Sequence, residues 1–490
     1  MVSLSASRLT SLPPSVETPD YDPSRISSGI VHFGVGSFHR SHEAMYIDRI
    51  LNAGSLEWGI CGVGILPSDR SMRDALRSQD NLYTLVTTSP EGTSAARVIA
   101  SIVEYLYAPD DPDAVLAKLT EPQIKIVSLT ITEGGYSVND ATGQFDPQDE
   151  RTLADLASDS APTSVLGYVV EALRLRRDKG TPPFTVMSCD NIPANGHVAR
   201  SAVLGFAELK DPGLARWIAD EVAFPSSMVD RITPVTTDET RAGVAADFGI
   251  EDLWPVRSES FEQWVLEDRF CTDRPPLEQV GVQLVADVGP YELMKLRLLN
   301  ASHQVMSYLG ILAGATYVHE VCTDPIFTEF LQDYMRAEAV PTLQPVPGID
   351  LDSYSHQLIA RFRSQAIRDT LARQVVDGSD RIPKFLLPVV KDQLAGERKV
   401  SRSALVLAAW SVFLEGRTEA GATIPTVDRR LPELRAAVAA ERNSPGSFLD
   451  YSAVFGELGQ SRTLRNEFIA ARESLHAYGS RATIQALTAE

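Results

Sequence analysis

The rhythm of apolar and polar positions changes a little past the middle of the chain. Up to about residue 285, short β-branched apolar runs alternate with stretches of helical spacing, the order expected of a parallel sheet joined by crossover helices. The predicted strands are 29–33, 59–63, 97–101, 124–130 and 184–188. From about Tyr291 onward, apolar residues recur at three- and four-residue intervals. The segments so formed are long and are broken by proline-rich links such as PTLQPVPGID at 341–350, which predicts a mainly helical half. The change falls within VADVGPYE, 285–292. It divides the chain into an α/β domain with a parallel-rich sheet, 1–288, and a mostly α-helical domain, 289–490. Two domains also suit a length of 490 residues, which exceeds what one core usually serves.

The segment ELMKLRLLNASH, 292–303, opens the second domain. At about 100° per residue, Glu292, Lys295, Leu299, Asn300 and His303 share one arc, and Met294, Leu298, Val305 and Leu309 lie mostly opposite. A lysine desolvated on such a face loses part of its preference for the charged form and can take an alcohol proton near neutral pH. Asn300 Nδ2 and His303 would then donate hydrogen bonds to the developing alkoxide. The set suits interconversion of an alcohol and a ketone. The competing reading has Lys295 reaching to water, Asn300 bonding its own helix and His303 satisfied in the core. Spacing alone leaves both open. Because this helix begins the second domain, the expected ligand site is a cleft facing the first.

In the first domain, GIVHFGVGSFHRSHEAMYIDRIL, 29–51, reads as strand, glycine turn and amphipathic helix. Gly34 would permit the turn, and Gly36 the approach of backbone to a pyrophosphate, with Val35 and Phe38 completing the loop. His39 stands where a third glycine would complete the dinucleotide fingerprint, so a plain strand-to-helix turn remains an alternative. His39 with His42 forms a possible metal pair. No third ligand appears at metal spacing, and His39 reads better as a packing or hydrogen-bonding residue. The second predicted strand leads into LPSDR, where Asp69 could accept from ribose hydroxyls and repel a 2′-phosphate, favouring NAD over NADP. Arg70 clasping that phosphate, or Asp69 as a turn or cap residue, are the alternatives. Later runs, TEGGY, SCDNIPANG and MVDRITP, place Glu133, Asp190, Asn191 and Asp230 after apolar stretches, where ligands of open parallel sheets bind and where turns also form.

A net charge of −20 argues against a nucleic-acid partner and against anionic membrane surfaces. Cys61, Cys189, Cys271 and Cys322 lie far apart with no Cys-x-x-Cys pair, as expected of reduced thiols without a thiolate zinc site. MVSLSASRLTSLPP lacks a cationic start followed by an apolar run, and no apolar stretch reaches membrane length, which predicts a cytoplasmic protein.

Taken in order over nearly the whole chain, FGVGSFHRSH, ITEGGY, CDNIPANG, MVDRITP and KLRLLNASH resemble the polyol-specific long-chain dehydrogenases. The resemblance implies an N-terminal Rossmann-type domain that binds NAD, a mostly helical domain, and a reversible, zinc-independent oxidation of D-mannitol to D-fructose. It further implies a small polyol or ketose as the partner and a monomer. The family's Lys-x-x-x-x-Asn-x-x-His signature falls on Lys295 as acid/base and on Asn300 and His303 as binders of the reacting oxygen. Gly34, Val35, Gly36, Phe38, His39, Asp69, Glu133 and Asp230 are the implied cofactor contacts. Asn191 and Asp230 would border the substrate, and Arg373 and Arg381 in RQVVDGSDRIPKF would hold the far hydroxyls. Family members can carry lysine where Arg381 stands. Glu292 would pair with Lys295 or relay its proton. D-Arabinitol and D-sorbitol dehydrogenases, and hexuronate reductases such as fructuronate reductase, share the signature. A uronate would need a cation such as Arg373 for its carboxylate.

Overall fold

Strands buried along their whole length form the centre of the N-terminal unit in the computed structural model, which describes residues 1–139, 143–158, 160–365 and 367–488. The longer strands of the unit are, in chain order, β1 Ser28–Phe33, β2 Gly59–Gly64, β3 Tyr83–Thr88, β4 Ser94–Ile99, β5 Ile102–Tyr107 and β6 Ile126–Leu129. They continue with β7 Thr185–Ser188, β8 Ser227–Asp230, β9 Val256–Glu259, β10 Gln263–Glu267 and β11 Gln283–Val285. Five of these make one parallel sheet in the order β5-β2-β1-β6-β7. Every residue of β1, β2, β6 and β7 is buried, as a parallel sheet covered on both faces requires.

Side-chain alternation assigns the two faces. Val31, Phe33, Cys61, Val63, Val127, Leu129 and Val186 pack in a core with the helices Val165–Lys179 and Asn195–Lys210. Ile30, Ile60, Ile126 and Met187 join a second core with the helix Glu43–Asn52. The chain builds outward from β1 to β2 and β5 on one side, then crosses to β6 and β7 on the other. The reversal between β1 and β6 is the topological switch point, where ligands of such sheets bind beyond the strand ends.

The predicted strand 97–101 is not one strand. β4 ends at Ile99 and β5 begins at Ile102, and the two belong to different sheets. β4 pairs antiparallel with β3 in a four-stranded sheet with β9 and the short Val16–Glu17. The turn between them is fixed from outside: buried Asp48 accepts from Ala100 N at 3.1 Å, and Ser101 Oγ donates to Ala44 O at 2.6 Å. Antiparallel pairing recurs between β8 and β10, so the unit is less uniformly parallel than its pattern suggests.

The chain separates into Met1–Ser89 with Thr93–Gly289, and Pro290–Glu490 with Pro90–Gly92. From the last residue of the first unit into the second, Gly289–Met294, Lys295–Asn300 and Ala301–Leu312 run on without a break, the middle piece as π-helix. Every residue from Ala301 to Gly310 is buried, so this helix is central and not a surface amphipath. It packs against Ser401–Phe413, which in turn packs on the long C-terminal helix. Further π segments occur at Met335–Ala339 and Ile382–Leu386. Among the described residues, no helix is long and apolar enough to cross a membrane.

Candidate active site

The turn after β1 is built around Gly34, whose φ is +94°, a region open to glycine and strained for other residues. A Cβ there would lie 2.1 Å from the carbonyl oxygen of Thr130, just past β6. Thr130 Oγ1 donates to Gly34 O at 2.7 Å and meets His32 Nε2 at 3.0 Å, tying the two strand ends together. Gly36 is exposed, and a Cβ on it would approach nothing nearer than Gly34 O at 3.7 Å. The tight turn thus rests on Gly34, while Gly36 leaves backbone open to a ligand. Val35 is buried and packs near Gly62; Phe38 stacks on His42 with ring centroids 4.9 Å apart.

A cleft of about 590 Å³ opens at this switch point, lined by Gly34, Leu66, Asp69, Thr130, Thr132 and Gly134. Its size suits a cofactor half. Asp69 begins the helix Asp69–Ser78, and its Oδ2 accepts from Ile65 N at 3.0 Å and Leu66 N at 2.8 Å. It therefore shapes the loop after β2 as well as lining the cleft. Arg70 points toward Asp110, 3.4 Å away, and lies over the Tyr107 ring. The loop of Glu133 is clamped by Asp190, which accepts from Ile131 N, Thr132 N and the Tyr136 hydroxyl at 3.0, 2.8 and 2.7 Å. Burial pushes the Asp190 carboxyl up, against those hydrogen bonds. Thr132 is held at φ +62° in this clamp, and Glu133 is exposed beside it. Asn191 is exposed after β7, and Asp230 ends β8, buried. Asn195, which sequence reasoning passed over, joins the two strands: its Nδ2 donates to Asp190 O and Ser227 O, and its Oδ1 accepts from Ser227 N. A second asparagine four residues after Asn191 was the available signal.

His39, an expected cofactor contact, turns its side chain into the protein beneath the loop. His39 is fully buried and stacks on His32, ring centroids 3.5 Å apart and planes 11° apart, with Glu43 Oε2 at 3.7 Å. It supports the turn from beneath, and burial drives its pKa well down. Ligand atoms of His32, His39 and Glu43 lie within 4.8 Å of one another. Yet imidazole lone pairs lie in the ring plane, so two parallel stacked rings do not aim theirs at one ion. His42, the other half of the possible pair, meets Gln263 O at 3.0 Å through Nε2.

In the second unit, Lys295 opens the π segment and Asn300 closes it, with backbone bonds spanning five residues, as from Ala301 N to Leu296 O. In such a turn residues five apart stand one above the other, and His303 follows a further α-turn along. A turn wider than the 100° step assumed thus brings these three positions toward one side of the helix. Lys295 is buried, with 7% exposure, and His303 has 8%. Asn300 Oδ1 and His303 Nε2 are buried without a hydrogen-bond partner among the described residues, which a native core tolerates mainly where function requires it. Burial lowers the His303 pKa to about 4; Asp369 opposes the shift, while Arg373, Arg381 and Arg361 add to it. Its ring also packs at 4.9 Å on Phe362. Glu292 is half-buried, one turn before Lys295.

Arg373 and Arg381 lie on the neighbouring segment. Arg373 donates through Nε and Nη2 to Asp369, both at 2.8 Å. Arg381 ends the short helix Gly378–Arg381, just before the π segment Ile382–Leu386. Gly378 is required there, because a Cβ would fall 2.5 Å from the Tyr308 hydroxyl and 3.0 Å from Trp410 Nε1.

A doubly wound sheet with a glycine turn at its switch point, in one chain with a π-bulged helix that carries buried Lys295 and His303 and half-buried Asn300, fits a dehydrogenase of Rossmann type. Comparison with known proteins makes this specific. Residues 28–279 match the mannitol dehydrogenase Rossmann domain and 287–476 the mannitol dehydrogenase C-terminal domain, and the chain belongs to the mannitol dehydrogenase family. It is 45% identical over 475 residues to mannitol 2-dehydrogenase of Phaeosphaeria nodorum, covering 96% of this chain and 83% of that one. The Pseudomonas fluorescens mannitol 2-dehydrogenase, solved as a ternary complex with NAD and D-mannitol, superposes with a TM-score of 0.90 at 43% identity, each chain covered in full. A D-sorbitol dehydrogenase in substrate-free form gives 0.92 at 41% identity, with 99% of this chain and 100% of that one covered.

Proposed function

We propose that the protein is an NAD-dependent polyol dehydrogenase that interconverts D-mannitol and D-fructose. The observation that carries the reading is the pair of buried, unpartnered polar atoms, Asn300 Oδ1 and His303 Nε2, on the same π-bulged helix as buried Lys295. Such a helix has little reason to keep three polar groups in a core unless they bind a polar ligand.

The N-terminal unit fits a dinucleotide. Gly34 makes the turn, exposed Gly36 admits a pyrophosphate, and Asp69 lines the cleft where an adenosine ribose would lie. Bound there, NAD supplies a hydride acceptor. In the oxidation direction, Lys295 takes the proton of the reacting hydroxyl. Asn300, through its amide N–H, and neutral His303, through its ring N–H, donate to that oxygen as it gains charge. These preorganised donors act in surroundings poor in water, where they stabilise charge most. Arg373 and Arg381 hold hydroxyls further along the open chain, and Asn191, Glu133 and Asp230 border the reacting end. Glu292 pairs with Lys295 or passes its proton on. A monomer completes the reading, and action in the cytoplasm is supported by the four free thiols.

The D-sorbitol dehydrogenase likeness favours a second reading, since D-sorbitol differs from D-mannitol in configuration at a single carbon. One experiment separates them: NADH formation with D-mannitol, D-sorbitol and D-arabinitol in turn, and NADPH formation with NADP. Turnover fastest with D-mannitol and NAD supports the proposal; preference for D-sorbitol replaces it, and no reduced cofactor with any polyol from neutral to alkaline pH refutes it.

A further inference from the structure

We propose that Asp369 sets the charge of the polyol pocket: by engaging Arg373 with both carboxylate oxygens, it neutralises that guanidinium and makes the site select uncharged polyols and ketoses over sugar acids of the same length. This rests on the preceding reading and deepens it, because a cation at position 373 is what a hexuronate reductase would need.

The pair is built, and not a chance surface contact. Asp369 is 8% exposed; its Oδ1 accepts from Arg373 Nε and its Oδ2 from Arg373 Nη2, both at 2.8 Å. Gln374 Nε2 adds a third bond to Oδ2 at 2.7 Å. Burial alone would raise the Asp369 carboxyl, yet the bonds and charge of Arg373 hold it below the usual range, so it is ionised at neutral pH. The guanidinium fork matches a carboxylate through two parallel bonds, and here that face is already taken. Arg373 keeps Nη1 and one N–H of Nη2 for hydroxyl oxygens, with its side chain 62% exposed.

The segment is held beside the reacting group. Gln304, the residue after His303, donates through Nε2 to Gln374 O at 3.0 Å, and Val318 N donates to Asp369 O at 3.0 Å. Asp369 is also the carboxylate that opposes the lowered pKa of His303. A second carboxylate brought by a ligand would therefore face a buried negative charge and a guanidinium whose charge is already balanced and whose Nε–Nη2 edge is occupied. Specificity of this kind comes from what disfavours the wrong ligand.

The probe is D-mannonate, which carries a carboxylate at one end where D-mannitol has a hydroxymethyl group. Its inhibition of D-mannitol oxidation is measured in the wild type and in Asp369→Asn, Asp369→Ser and Asp369→Glu. The wild type is expected to bind D-mannonate more weakly than D-mannitol. Loss of the charge in the Asn or Ser variant should tighten D-mannonate inhibition about tenfold or more, while KM for D-mannitol rises and kcat changes less. Asp369→Glu should restore the wild-type ratio, which a purely structural role would not do. Serine serves if asparagine, facing Gln374 with a second amide, does not fold. D-Mannonate binding unchanged or weakened in a folded neutral variant, or wild-type affinity for D-mannonate equal to that for D-mannitol, overturns the assignment. A wild type that oxidises no polyol would instead overturn the reading on which it rests.

Discussion

Lys295 and Asn300 are the first and last residues of a single π-helical segment. Closing a ring between residues five apart costs the helix its best hydrogen-bond geometry, and such bulges collect at functional sites. Here the wide turn sets Lys295 above Asn300 and, through Ala301–Leu312, in register with His303. Deleting Leu296, the least buried of the four residues between Lys295 and Asn300, should return the segment to α-helical register and turn Lys295 away by about 100°. The expected result is a folded helix by circular dichroism with turnover reduced by about 10²-fold or more. Wild-type turnover in the deletion variant would show that the bulge does not organise these groups.

The glycine turn separates structure from binding. Gly34→Ala places a Cβ 2.1 Å from Thr130 O at φ +94°, and should destabilise the N-terminal unit by several kcal/mol in denaturant unfolding, on the order of 3. Gly36→Ala meets nothing nearer than 3.7 Å, so stability should hold while NAD affinity falls several-fold. Equal stability in the two variants would contradict the roles assigned.

Asp69 bonds two loop amides through one oxygen and lines the cleft. Asp69→Asn keeps an acceptor for the amides and removes the charge that would repel a 2′-phosphate. The ratio of kcat/KM for NAD to that for NADP should fall by about tenfold. A ratio that does not move assigns Asp69 to the loop alone.

His303 has a folded-state pKa of about 4 against an ordinary 6.5. Between these values the unfolded chain binds the proton and the folded one does not, so stability rises with pH across that window and is lost as pH falls through it. The full effect, reached below pH 4, is about 3 kcal/mol. His303→Asn should flatten the acid limb of a stability–pH curve between about pH 6.5 and 4. A limb of the same slope would place the titration elsewhere, with buried His39 the next group to replace.

Much of this was legible before the structure, for identifiable reasons. β1, β2, β6 and β7 are buried throughout and mostly apolar or glycine, and a sheet covered on both faces leaves that trace in any order of reading. The segment 97–101 misled because burial runs on unbroken from Val98 to Ile102; what divides β4 from β5 is the grip of Asp48 and Ala44, some fifty residues away in sequence. The π-turn was invisible because it differs from an α-turn by a single residue, within the tolerance of an apolar pattern. His39 occupied a fingerprint position, and its withdrawal under the turn depends on His32 and Glu43, neither singled out by spacing. Asp369 escaped notice although it stands four residues before Arg373, a spacing that pairs charges on a helix.

The most direct test is D-mannitol oxidation by NAD in the wild type and in Lys295→Ala, with and without a small primary amine in the buffer. Turnover should fall by about 10²- to 10⁴-fold in the variant, NAD binding should be unchanged, and the amine should restore part of the rate with its unprotonated form as the active species. A variant that turns over as fast as the wild type would contradict the account.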